Sequence, residues 1–187
     1  LSSLPVKNNA AVAEALNQTM ESLISLNKDE LTDPELSYRT GQRLLLGLAE
    51  VRKYLETKGN ALSDRQRNTM SGALFSAYAE TYKLISRASV ELAEMSEGKM
   101  TQSLRENSAR MQLAEARMRF REGKRSMALD LARSAKVKSA EGKRLQAKVL
   151  IALIDESEKL MALSESGQKE KRLFSSLSKE RQDLLTW

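Results

Sequence analysis

The chain has 187 residues, 41% hydrophobic and 30% charged, with no cysteine and no histidine. Those absences exclude disulfides, thiolate nucleophiles and sulfur or imidazole metal sites, leaving a metal only carboxylates and other oxygens to bind. The net charge is +6, yet residues 105–148 hold thirteen Lys and Arg against five acids, a local +8 that leaves the remainder at −2.

Two prolines, eight glycines, eight aromatics and an abundance of Ala, Leu, Glu, Lys and Arg favour helix, and no strand-length run alternates apolar with polar residues. The expected fold is all-α: an elongated bundle or stack of long antiparallel helical hairpins without a β-sheet. The length suits a single all-helical domain over 1–187, with N-terminal helices in 1–61 and long helices in 63–187 that include a basic hairpin at 105–148. The longest apolar run, Val149 to Ile154, falls far short of the roughly 20 residues of a membrane-spanning helix, so no transmembrane segment is expected. Leu1 is not an initiator Met, which suggests an upstream segment and a secreted, periplasmic or envelope location, with a cytoplasmic one left open.

In chain order, Asn9 is a candidate cap for a first helix through Val12, Leu16, Met20, Leu23 and Ile24. Asp33-Pro34 starts a second, which runs through Leu44, Leu48, Val51 and Leu55 to a stop at Gly59-Asn60. Ser63-Asp64 caps a third, whose stripe from Met70 through Leu74, Ala77, Thr81, Leu84, Ile85 and Ala88 to Met95 calls for an equally long partner. After Gly98 a fourth helix carries Met100, Leu104, Met111, Ala114 and Met118, ending at Gly123. A fifth carries Ala128, Leu131, Ala132 and Ala135. Gly142 either separates this helix from the next or stands inside one helix spanning 125–166, at a cost of about 1 kcal/mol relative to alanine. A last amphipathic helix is expected between Lys169 and Trp187.

Residues 112–140 resemble a tetratricopeptide-type hairpin, with Ala116 in the first helix, Gly123 at the turn, and Ala128 and Ala135 where that family keeps small residues. Arg119 and Arg125 stand where the family usually has Tyr, Glu115 where it prefers an apolar residue, and Ala140 where it often has Pro. The resemblance implies partner binding on a helical surface. An Ala-rich antiparallel hairpin of any origin carries the same small residues.

No spacing fixes a chemistry. Four Ser-x-x-Lys matches, at Ser25, Ser96, Ser166 and Ser176, lack the companion elements of penicillin-binding enzymes. Asp29, Glu30, Asp33 and Glu35 lack the glycine and spacing of a calcium loop. Phe75, Tyr78 and Tyr82 read as core-edge packing or a ligand cage. No catalytic, cofactor-binding or metal-binding residue is therefore assigned, and no enzyme is expected.

What the basic stretch supports is partner binding. On helical spacing Arg110, Arg117 and Arg121 share one side of the fourth helix, and Arg125, Arg133 and Lys136 the side of the fifth away from Leu131. With Arg119 and Lys124 these form the candidate partner-binding set. The expected function is a non-enzymatic protein–protein interaction or structural module, with a component of a larger secreted or envelope assembly as one form of it, whose partner is another protein, an acidic one where the basic surface makes the contact. Nucleic-acid or anionic-membrane binding through the same cations is the alternative, although Phe120 is the only aromatic in the stretch and base-stacking platforms are missing. Self-association through long apolar faces is a further alternative.

Overall fold

The computed structural model describes Gln18 and residues 33–58, 62–162 and 179–184. These form α1 (Pro34–Lys58), α2 (Asp64–Glu94), α3 (Gly98–Arg121), α4 (Arg125–Ser134), α5 (Ala140–Ala162) and a helical stretch over 179–184, and no strand occurs among them. The all-α expectation holds. Apart from Gln18, which is helical, the expected first helix, the stop at Gly59-Asn60, residues 163–166 of the alternative long helix, and Trp187 lie outside the described residues. Of the expected last helix only 179–184 is described. None of the described helices is long and apolar enough to cross a membrane.

The predicted starts are made by side chains. Asp33 Oδ1 accepts the Glu35 N–H at 2.9 Å, just ahead of the N1 proline. Ser63 and Gln66 form a reciprocal capping box, the Ser63 hydroxyl accepting Gln66 N–H and the Gln66 carbonyl accepting Ser63 N–H at 3.0 Å. At the end of α3, Gly123 adopts φ +82°, its N–H reaching Phe120 O while Lys124 N–H reaches Arg119 O, both at 2.9 Å. That is a Schellman closure, and its left-handed residue is the reason for glycine.

Gly142 does not mark the break between α4 and α5. The helices are separate, but the connection is 135–139 and Gly142 sits buried in the first turn of α5. A Cβ there would collide with the Glu106 carboxylate and lie 2.9 Å from Ser139 Oγ. The glycine is explained by how closely α3 approaches.

Packing runs from each helix to its neighbours in sequence. α1 lies on α2, α2 on α3, and α3 on both α4 and α5, which also touch each other. One core cluster joins Leu48 of α1 to Met70, Leu74, Ala77 and Leu84 of α2. Further along the same pair, Gly41 lets α1 approach so closely that a Cβ would overlap Ile85. A second cluster joins Leu113, Ala116 and Phe120 of α3 to Ala128, Leu129 and Ala132 of α4 and to Val149, Leu150 and Ile154 of α5. The third-helix stripe is largely buried as expected, although Met95 at its end is 75% exposed.

The fourth-helix stripe needs correction. Met111, Ala114 and Met118 are only partly buried and Met100 is 65% exposed, whereas Ala109, Leu113, Ala116 and Phe120 form the core face. Two charged residues hide that face in the sequence: Glu115 and Arg119 are 4% and 3% exposed. The Arg119 guanidinium donates to Glu80 of α2, to Glu115 at 3.2 Å and to Glu122 at 3.3 Å, and Lys124 Nζ adds a contact to Glu122 at 2.7 Å. Burial holds the Glu115 carboxyl above the usual range despite Arg119 beside it.

Replacing Arg119 with Met should cost about 3–5 kcal/mol of unfolding free energy, because three carboxylates lose their shared cation. Glu115, which burial already holds above the usual range, loses the charge that opposes that rise, so the deficit should be largest near neutral pH and shrink on acidification; urea titrations at pH 7 and pH 4.5 would measure it. Gly123→Ala, where space is open and only the positive φ resists, should cost about 1–2 kcal/mol in the same assay.

Candidate partner-binding surface

The eight sequence-selected cations do not form one surface. Arg119 is buried in its carboxylate network and leaves the set, and Lys124 is tied to Glu122 in the same network. Arg110 pairs with Glu141 of α5 at 3.2 Å. Arg133 clamps both carboxylate oxygens of Glu180, at 2.9 and 2.5 Å, and also reaches Asp130, so it fastens the 179–184 stretch to α4. Arg181 fastens the same stretch to Asp155 of α5. Arg121 lies over the Phe75 ring at 5.3 Å. Arg117 and Arg125 are exposed and have no ion pair among the described residues. Lys136 lies beyond the end of α4 rather than on it.

Lys136 is instead brought together with Arg105 of α3 and Lys138. The local reason is the connection Ala135-Lys136-Val137-Lys138, tightened by the Val137 N–H donating to Ala135 O at 3.0 Å, in which Ala135 and Val137 pack on the core and both lysines are exposed. Two glutamines hold its start. Gln146 Nε2 of α5 donates to Ala132 O at 2.8 Å and Ala135 O at 3.1 Å, and Gln112 Nε2 of α3 donates to Leu131 O and Ser134 Oγ. These bonds satisfy the last carbonyls of α4. Its far end is held by Glu106, which accepts from the Ser139 hydroxyl and from Lys138 N–H at 3.3 Å.

The result is an open cleft of about 640 Å³ between α2, α3 and this connection. Val90 and Ala109 supply apolar surface, Ser86, Gln112 and Ser134 polar groups, and Arg105, Lys136 and Lys138 the charge; no carboxylate lines it. None of the three cations has an ion pair among the described residues. Beyond them the surface continues past Gln102 to Glu106, whose carboxylate is turned to Ser139 and Lys138 N–H. Sequence reasoning counted Arg105 and Lys138 in the basic stretch without selecting them. The signal was the four-residue alternation at 135–138, which ends the helix and aims alternate side chains the same way.

The cleft can bind anions and apolar groups together. Compared with protein-family models, with curated proteins and with solved structures, the chain matches none.

The hydrogen bond from Ser139, with those from the 138–139 backbone and the nearby Arg110 charge, holds Glu106 below the usual carboxylate range although burial opposes it. A depressed folded pKa contributes stability above the unfolded value, and that contribution is lost as pH falls through the folded one. Glu106→Gln should therefore be less stable than the parent at pH 7, with the gap closing towards pH 3 in paired denaturation curves.

Proposed function

We propose that this chain is a non-enzymatic interaction module, a stack of helical hairpins that holds an acidic segment of a partner protein in the cleft between α2, α3 and the 135–139 connection. The observation that carries the reading is the cluster of Arg105, Lys136 and Lys138, three cations over apolar Val90 and Ala109 with no lining carboxylate. An acidic chain with interspersed apolar side chains complements both features. A tetratricopeptide-like architecture fits this role. Supporting it are the turn at Gly123, the buried Ala116, Ala128 and Ala135, and the seating of α5 against both helices of the α3–α4 hairpin.

Nucleic-acid binding draws less support, since four of the eight selected cations, Arg110, Arg119, Lys124 and Arg133, are paired with carboxylates and no aromatic lines the cleft. The test is fluorescence anisotropy with a labelled Asp/Glu-rich peptide containing spaced leucines, set against a random-sequence DNA duplex across a salt series. Peptide binding should fall about tenfold or more in Lys136→Glu/Lys138→Glu and remain in Arg117→Glu/Arg125→Glu. Equal loss in both double variants, or preferred duplex binding with a log-log salt slope of several units, would overturn the reading.

A further inference from the structure

The turn between α2 and α3 carries the charge that the cleft lacks. Residues 91–97 hold Glu91, Glu94 and Glu97 and no cation, and the last turn of α2 has no basic residue. Negative charge at the C-terminus of a helix opposes its macrodipole, so this end is improved by a cation from outside. Glu91 has a partner in Arg87 at 2.8 Å, whereas Glu94 and Glu97 are exposed and have no ion pair among the described residues. Between these two stands Met95, 75% exposed. The turn is an acidic segment with an apolar side chain set into it. It is also held in shape, because the Ser96 hydroxyl donates to Leu92 O at 2.7 Å, the Thr101 hydroxyl donates to Ser96 O and Gly98 takes φ +63°. A segment fixed in this way loses little conformational freedom on docking.

The turn adjoins the cleft without occupying it. Ser86 and Val90 of the cleft wall and Glu94 recur every four residues along α2 and share one face of it. Gly98, at the end of the turn, borders the same hollow as Arg105, Lys136 and Lys138. Packed helices on both sides hold the turn in place, and within one chain neither Glu94 nor Glu97 pairs with any of the three cations. A second copy can make those pairs. With turn and cleft on one face, the two-fold axis that brings one copy's turn to its partner's cleft brings the partner's turn to the first cleft.

We propose that the chain forms a two-fold dimer in which Glu94, Met95 and Glu97 of each copy enter the cleft of the other, the carboxylates meeting Arg105, Lys136 and Lys138 and the Met95 thioether lying against Val90. This rests on the reading of the cleft as a receptor for an acidic segment, and it names a second copy as the source of that segment. Unpaired charges of both signs are matched in one step, and the flexible thioether fills the apolar part of the contact.

Sedimentation velocity of the full chain across protein and salt series tests the proposal. The parent should dimerise in the micromolar range, more weakly as salt is raised, and go no further than the dimer. Glu94→Lys/Glu97→Lys and Lys136→Glu/Lys138→Glu should each be monomeric while keeping the helical circular dichroism of the parent. An equimolar mixture of the two variants should dimerise again, because each turn then meets a cleft of opposite charge. A parent still monomeric at about 100 μM, association that continues past the dimer, or a mixture that stays monomeric beside a dimeric parent would overturn the proposal. The labelled acidic peptide keeps the two readings apart. Peptide bound by a chain that stays monomeric overturns the dimer and leaves the cleft reading standing, whereas a chain that neither dimerises nor binds the peptide overturns both.

Discussion

Arg119 is the charge on which the middle of the molecule depends. It lies almost wholly out of water between α2 and α3, where Glu80, Glu115 and Glu122 converge. A leucine cluster tolerates sliding, whereas a guanidinium with a fixed fork of donors accepts few arrangements of three carboxylates. The network therefore sets how α3 sits on α2. Through Glu122 and Lys124 it also meets the turn at which α4 departs. It withdraws Arg119 and engages Lys124 in a region whose charge count pointed to a basic surface.

Helix ends and the α2 stripe were legible because each depends on a few adjacent residues. Asp33-Pro34 and Ser63 with Gln66 are local motifs whose hydrogen bonds close within one turn. What was illegible depends on residues distant in sequence. The core face of α3 was obscured because Glu115 and Arg119 stand on it, and their burial requires Glu80, thirty-nine positions before Arg119. Gly142 resembled a helix breaker, but its lack of a side chain answers to Glu106 on another helix. The candidate cleft was half legible. The basic excess of 105–148 pointed to the region, while the cations left unpaired could be found only after Arg110, Arg133 and Lys124 had been matched with Glu141, Glu180 and Glu122.

α3 has two packed sides and two ends with different surroundings. Along its length it shares one core cluster with α4 and α5, and Ser108 and Asn107 bond across to Ser86 and Ser89 of α2. Near its start, Arg105 and Glu106 shape the cleft. Near its end, Met118 and Arg121 line a cavity with Phe75, Tyr78 and Tyr82 of α2. One helix thus positions two chemically distinct concavities, and neither needs a long loop to form.

The neighbour-to-neighbour packing has a kinetic consequence. Every substantial helix contact among the described residues joins an element to the next one or the next but one. The mean loop closed on forming a contact is short, and chains with low contact order fold fast because little loop entropy is lost before contacts form. During synthesis, α1 and α2 can collapse together once both have left the ribosome, and α3 adds to a surface already formed. Arg119 then meets a waiting Glu80, while the last turn of α3 emerges with Glu122 three residues behind it.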